Sequence, residues 1–114
     1  MTNTILAAIA ALIMVESGDD PRAIGDSGAA VGVLQFHKVA VDEANRIAAT
    51  NRWTYADRLD PAKSRAMCWT TLEFHYRRGT TDPVQLAGKH RNPYSRCPEW
   101  YLDRVRKELR RSHE

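Results

Sequence analysis

The chain opens with an apolar run from Ile5 to Val15 that no polar residue interrupts. Because this run has no polar face, it predicts a helix over residues 4–16 that is buried on all sides. Glu16 follows the run directly, and Gly18 is the kind of residue that ends a helix. The pattern therefore places a carboxylate where a buried helix stops.

Residues 19–36 predict a loop, because glycines cluster there and no helical periodicity is present. A short hairpin around Asp26-Ser27-Gly28 fits the same stretch. Residues 37–51 regain helical periodicity. Their predicted apolar face consists of Val39, Val41, Ala44, Ile47 and Ala48. Their predicted outer face holds Lys38, Asp42, Glu43 and Arg46.

Three more helices are predicted from proline-based opening signals. Asp60-Pro61 opens a helix to about Arg78, and Asp82-Pro83 opens a short helix to about Lys89. A polar loop over residues 90–97 precedes Pro98, which opens a last amphipathic helix. The predicted stripe of the 60–78 helix consists of Ala66, Trp69, Leu72, Glu73 and Tyr76. The apolar positions of the last helix are Trp100, Tyr101, Leu102, Val105 and Leu109.

The predicted fold class is mainly α, with about five helices and a glycine-rich loop or short β-hairpin. A length of 114 residues predicts one domain over residues 1–114. The hydrophobic content of 43% and the charged content of 27% are ordinary for a globular protein. The net charge of +3 mildly favours anionic partners such as cell-wall polymers or nucleic acid.

The apolar run of residues 5–15 is too short to span a bilayer. It also makes a poor signal peptide, because no Lys or Arg precedes it and it continues into the carboxylate motif. Cys68 and Cys97 are too few for a disulfide framework, so both the paired and the reduced state stay open. No transmembrane segment is predicted, and a monomer is expected.

Glu16 is the first candidate for chemistry. The negative end of the helix dipole and partial burial both disfavour a carboxylate anion at this position. A carboxylic acid that stays protonated near neutral pH is what general-acid catalysis requires. The alternative is a solvent-exposed glutamate at a helix end.

The residues after Glu16 carry a resemblance. The ordered set Glu16-Ser17-Gly18, Asp20-Pro21, Ala23-Ile24-Gly25-Asp26, Gly28, Gly32 and Leu34-Gln35 resembles the catalytic signature of the lysozyme-like superfamily. Soluble lytic transglycosylases and the goose-type and invertebrate-type lysozymes share that signature. The resemblance is densest over residues 13–37 and implies an α+β lysozyme-like fold with a saccharide cleft. It also implies that Glu16 protonates the glycosidic oxygen of peptidoglycan.

Asp26 is the best candidate for a second carboxylate, because the resemblance places it where invertebrate-type lysozymes carry their aspartate. A separation of about 5–5.5 Å from the acid would predict retention, and one of about 6.5–9.5 Å would predict inversion. A single acid without a partner suits a transglycosylase, in which the muramic 6-hydroxyl attacks internally. Asp26 is equally explained as a turn-forming residue.

The resemblance implies further saccharide contacts, each with a structural alternative. Ser17 supports the helix end or the cleft, and Gln35 offers a donor and an acceptor to an N-acetyl group. His37 and Tyr76 line the cleft or serve the fold. Asn92 stands in for a family asparagine, and Tyr94 stacks on a sugar ring. The usual Asn-Gly-Gly-Pro turn is replaced here by His90-Arg91-Asn92-Pro93-Tyr94, so this wall of the cleft is expected to be short.

Other chemistries lack their signals in the sequence. The histidines and cysteines form no zinc pattern, and Gly25, Gly28 and Gly32 are not followed by the Lys-Ser/Thr of a phosphate loop. Gly-x-Ser-x-Gly is absent. No cofactor is expected. The basic residues of the last helix predict a solvated face. Attachment to anionic wall polymer and binding of nucleic acid are the alternatives, although no nucleic-acid partner is expected.

The sequence thus predicts a peptidoglycan-cleaving lysozyme that cuts the β-1,4 bond between N-acetylmuramic acid and N-acetylglucosamine, with Glu16 as general acid. A lytic transglycosylase and a catalytically silent glycan-binding module are the alternatives. The localisation is open, although the substrate lies on the cell-wall side. Three origins are compatible with a substrate on the cell-wall side: a phage endolysin, a piece of a larger protein, or a product exported by another route.

Overall fold

The computed structural model describes residues 1–112, which form five α-helices and one two-stranded sheet. The helices are α1 (Thr2–Ser17), α2 (Lys38–Ala48), α3 (Pro61–Arg77), α4 (Pro83–Arg91) and α5 (Glu99–Arg111). The strands are β1 (Ile24–Gly25) and β2 (Ala30–Val31), and short 3-10 turns span Asp26–Gly28 and Tyr55–Leu59. The prediction of a mainly helical protein with a small hairpin is confirmed.

The first helix is the centre of the fold. It packs against α3, α4 and α5 and buries seven of its 16 residues. The prediction that it is buried on all sides is wrong, because Leu6 is 54% and Met14 is 42% exposed. Gly18 ends it in the left-handed conformation at φ 65°, and its N–H binds the carbonyl of Met14 at 3.1 Å. The bond from Gly18 is the single 5→1 bond of an αL stop, and the N–H of Asp19 also binds the carbonyl of Ile13 at 3.3 Å. Glu16 therefore lies in the last turn, at the edge of the core.

The core differs from the predicted apolar faces in α2 and α5. Val39 is 71% exposed, whereas Val41 and Ala44 are buried. Two residues that lie two apart on a helix are about 200° apart around its axis, so Val39 and Val41 never shared a face. Trp100 is 55% exposed for a similar reason, because its neighbours Tyr101 and Leu102 hold the buried side of α5.

The predicted stripe of α3 is wrong by about one position. The buried residues are Ser64, Met67, Cys68, Thr71, Leu72 and His75, and Ala66 is exposed. Ser64 and Thr71 can be buried because their hydroxyls donate to the carbonyls of Arg58 at 2.9 Å and Met67 at 3.2 Å. An apolar pattern does not detect polar residues that are satisfied in this way.

The hairpin is antiparallel, with Ile24 opposite Val31 and Gly25 opposite Ala30. It is tied to the 3-10 turn before α3, because the guanidinium of Arg58 donates to the carbonyls of Ala29 and Phe36 at 3.3 and 3.2 Å. Gly32 has a φ of 88°, and a Cβ there would lie 1.9 Å from the carbonyl oxygen of Arg58. Only glycine permits this close approach.

The predicted caps of α3 and α4 are present. The Asp60 carboxylate accepts from the N–H groups of Ala62 and Lys63, and the Asp82 carboxylate accepts from the N–H of Gln85. Cys68 and Cys97 are buried free thiols. Among residues 1–112, no helix is long and apolar enough to cross a membrane.

Candidate active site

A cleft of about 720 Å³ lies between the end of α1, the hairpin, α2 and the segment from α4 to α5. Three carboxylates line it: Glu16, Asp26 and Glu43. The first two were expected there from the sequence. Glu43 was expected on the outer face of α2, and this prediction is wrong, because Glu43 shares the cleft side of α2 with Val39 and Ala40.

Glu16 is partly buried and accepts a hydrogen bond from the phenol of Tyr101, at 2.9 Å between Oη and Oε1. Tyr101 itself is 2% exposed. Burial, followed by the nearby Glu16 carboxyl, raises the pKa of Tyr101, so its phenol remains a neutral donor. One oxygen of Glu16 is thereby fixed, which leaves Oε2 for a ligand in the cleft.

Asp26 stands on the hairpin side of the cleft. Its Oδ2 lies 2.8 Å from Nε2 of His37, and both side chains are largely in solvent, at 69% and 45% exposure. Asp26 and the following Ser27 have φ values of 48° and 56°. The turn is thus formed by residues that tolerate the left-handed region, as expected for aspartate in a turn. Asp26 and His37 therefore both line the cleft and are joined by a side-chain hydrogen bond.

Glu43 has a tighter set of partners. Its Oε1 accepts hydrogen bonds from the guanidinium of Arg46 and from the phenol of Tyr94, the latter at 2.7 Å. The Arg46 guanidinium also donates to the Tyr94 oxygen at 2.9 Å. The hydrogen bond from Arg46 is the main reason why the pKa of Glu43 is lowered. Glu43 is therefore a paired anion, and its link to Tyr94 joins α2 to the loop after α4.

Gln35 lines the cleft but holds the loop at the same time. Its amide nitrogen donates to the carbonyls of Ala23 and Gly32, each at 3.0 Å. A Cβ on residue 25 would lie only 2.4 Å from Oε1 of Gln35, which explains why this position is a glycine. Because both amide hydrogens are used, Oε1 is the group that Gln35 can offer to a saccharide.

Three of the predicted saccharide-binding residues do not line the cleft: Ser17, Tyr76 and Asn92. The hydroxyl of Ser17 donates to the carbonyl of Val33 at 2.8 Å and accepts from the N–H of Asp20 at 3.1 Å. Tyr76 packs against the core. Asn92 accepts from Arg91 and donates to Ser95, which shapes the loop. These contacts are all within the protein, and a role of the three residues in saccharide binding stays a prediction.

Sequence reasoning missed both polar side chains that α5 contributes to the cleft. Tyr101 was assigned only to the core, and Arg104, which donates to the Val15 carbonyl at 3.3 Å, only to a basic face. Both line the cleft. The signal for Tyr101 was its phenol, since a buried tyrosine hydroxyl normally finds a partner. No comparable signal marked Arg104.

A metal site is not part of this arrangement. Over the described range, 1–112, no group of three or more His, Cys, Asp or Glu residues is placed to hold a metal ion.

A mainly helical fold with a carboxylate at the end of its central helix and a cleft beside a small hairpin defines a lysozyme-like domain. The model of the transglycosylase SLT domain family matches residues 2–89, and the protein belongs to that family. This membership supports a peptidoglycan-acting enzyme, either a transglycosylase or a glycosidase. No curated protein and no solved structure gave a match. Tyr101 and Arg104 lie beyond the matched residues.

Proposed function

We propose that the protein cleaves the β-1,4 bond between N-acetylmuramic acid and N-acetylglucosamine as a lytic transglycosylase, with Glu16 as its general acid. The observation that carries this proposal is the contrast among the cleft carboxylates. Glu16 has a phenol as its hydrogen-bond partner and forms no ion pair within residues 1–112. Asp26 and Glu43 are each joined to a basic side chain.

The position of Glu16 suits proton donation. With Oε1 accepting from Tyr101, Oε2 carries the proton and donates it to the glycosidic oxygen. The bond from C1 of muramic acid to that oxygen then breaks, and N-acetylglucosamine leaves with a free 4-hydroxyl. Glu16 becomes a carboxylate, and the phenol of Tyr101 stabilises it through a hydrogen bond to an anion.

Internal attack completes the reaction without a second carboxylate. The 6-hydroxyl of the same muramic acid attacks C1, and its proton returns to Glu16. The product is a 1,6-anhydro ring, and no water is consumed. This route needs one group that alternates between acid and base, which matches a cleft in which Asp26 and Glu43 have basic partners.

A lysozyme is the second candidate, and the location of Asp26 supports it. Asp26 lines the same cleft as Glu16 and is accessible to solvent. If His37 is neutral, its pairing with Asp26 is a plain hydrogen bond, and the carboxylate remains able to hold a water molecule. Hydrolysis would then end in a free reducing end.

Digestion of purified peptidoglycan with mass spectrometry of the products separates these routes. We expect wild-type protein to give 1,6-anhydromuramic ends, which are lighter by one water than hydrolysis products, and Glu16→Gln to give none. Products with free reducing ends would establish the lysozyme instead. A wild type that cuts no wall preparation but binds glycan would identify a silent binding module and overturn the proposal. Circular dichroism of Glu16→Gln checks that its fold is kept.

A further inference from the structure

Basic side chains form one wall of the cleft. Lys89, Arg91 and Arg104 all line it, on the side made by the end of α4 and by α5. None of the three forms an ion pair with a carboxylate of residues 1–112. Elsewhere in the lining, His37 is paired with Asp26, and Glu43 is paired with Arg46, which does not line the cleft. Uncompensated positive charge is therefore concentrated on one side of the cleft.

The two arginines are held in place by contacts that leave donors free. The guanidinium of Arg91 lies over the rings of Trp100 and Tyr101, with its central carbon 5.2 and 5.7 Å from the ring centres. One of its terminal nitrogens donates to Asn92 at 2.8 Å. Arg104 uses one terminal nitrogen for the Val15 carbonyl at 3.3 Å. A guanidinium has five N–H donors, so each arginine retains several for a ligand.

The contacts that hold the two arginines also involve residues next to the proposed acid, Glu16. Arg104 is bound to the residue that precedes Glu16, and Arg91 stacks on the tyrosine whose phenol binds Glu16. Both guanidinium groups are therefore held by residues that adjoin or contact Glu16. Ordering both side chains before a ligand arrives also lowers the entropy cost of binding.

We propose, on the basis of the function proposed above, that Lys89, Arg91 and Arg104 form a binding site for the carboxylates carried by muramic acid. This sugar has a lactyl ether that ends in a carboxyl group, which is either free or extended by an acidic peptide. Carboxylates therefore project from the sugar ring at the scissile bond. Planar guanidinium groups bind carboxylates through paired hydrogen bonds, and the lysine adds positive charge.

This site makes the enzyme select muramic acid over uncharged sugars. A polymer of N-acetylglucosamine has the same β-1,4 linkage but offers the basic wall no anion. It would leave the cationic groups without a counter-charge in the partly enclosed cleft. We therefore expect chitin oligomers to bind weakly, and the binding of muramic ligands to weaken as the salt concentration rises.

Calorimetric titrations in the Glu16→Gln background test the site without cleavage of the ligand. Three ligands are compared: chitotetraose, the N-acetylglucosaminyl-N-acetylmuramic acid disaccharide, and the same disaccharide bearing a tetrapeptide. Arg91→Gln and Arg104→Gln are each expected to weaken binding of the muramic ligands about tenfold and to leave chitotetraose unchanged. Arg104→Lys should recover part of the loss, because it restores the charge.

Arg110→Gln is the matched control. Arg110 is an exposed arginine of α5, as Arg104 is, but it does not line the cleft. Its substitution removes the same charge. The proposal is overturned if Arg110→Gln weakens binding as much as the cleft variants, if chitotetraose loses as much affinity as the muramic ligands, or if neither arginine variant matters. Thermal unfolding of each variant shows whether a loss of affinity comes from a loss of fold.

The pattern of losses also identifies the bound group. Weakening only for the disaccharide assigns the lactyl carboxylate, because the amide bond to the peptide removes that charge from the other ligand. Weakening only for the tetrapeptide ligand assigns the peptide carboxylates, and weakening for both shows that the basic wall accepts either group; each result supports the site. The result is separable from the proposed function. If the wild-type protein cleaves no wall preparation but the arginine variants bind the muramic ligands more weakly, the proposed function is contradicted and the binding site is supported.

Discussion

The two glutamates of the cleft are chemically identical and lie in opposite environments. Glu16 closes the central helix α1 and contacts a buried phenol. Glu43 lies on the amphipathic helix α2, one turn before Arg46, and is bound by that arginine and by the exposed Tyr94. The first accepts from a neutral phenol, and the second is paired with a guanidinium.

The difference shows which features give a carboxylate its role. A basic neighbour stabilises the ionised form and lowers the pKa, as it does for Glu43. A neutral donor fixes the carboxyl group in space and adds no positive charge. Distance to the substrate alone would not separate the two residues, since both line the cleft. Three substitutions, in order of expected effect, test the contrast.

Removal of the phenol beside Glu16 should have the largest effect. Tyr101→Phe deletes the hydrogen bond to Oε1 and keeps the buried ring, so we expect kcat/KM on peptidoglycan to fall about tenfold or more. Turbidity loss of wall suspensions provides the rate. Tyr55→Phe is the matched control, because its exposed phenol binds Asp42 away from the cleft. Wild-type rates in Tyr101→Phe would show that the phenol has no part in positioning the acid.

Removal of the Asp26 charge should have a smaller effect. If Glu16 works alone, Asp26→Asn changes kcat/KM by less than about threefold and the products keep their anhydro ends, whereas loss of a true acid-base partner costs about 100-fold or more. Asp19→Asn removes an equally exposed charge nearby and serves as the control. A drop of the larger size in Asp26→Asn alone would favour the lysozyme.

Loss of the Glu43 anion should mainly affect stability, and only slightly. The folded-state pKa of Glu43 is lowered, so its ionised form stabilises the fold at neutral pH, and this contribution disappears as the pH falls through that lowered value. We expect Glu43→Gln to lower Tm by no more than about 4 °C at neutral pH. The difference in Tm between the variant and the wild type should disappear below about pH 4, where Glu43 is protonated in both the folded and the unfolded state.

Glu108→Gln is the control for this measurement, because Glu108 pairs with Arg111 at the same helical spacing outside the cleft. A Glu43→Gln deficit that grows on acidification would contradict the assignment of Glu43 as the anion of its pair.

The sequence predicted the helices well and the cleft only in part. Asp-Pro openings and Gly18 marked the helix ends correctly, because caps depend on one or two residues in a row. The faces of the helices were harder. Val39 and Trp100 are apolar, yet they line the cleft and are exposed, because a cleft also exposes apolar side chains.

The amino-acid sequence by itself determined the fold class, the family signature around Glu16 and the place of that carboxylate at the end of the first helix. These depend on local patterns: an apolar run, a glycine stop and a glycine-rich turn. The tertiary structure alone decided which groups meet Glu16. Tyr101 follows it by 85 positions in the chain, and only the packing of α5 against α1 brings the two side chains within 2.9 Å. Periodicity describes one helix at a time, so it contains no information about such a contact.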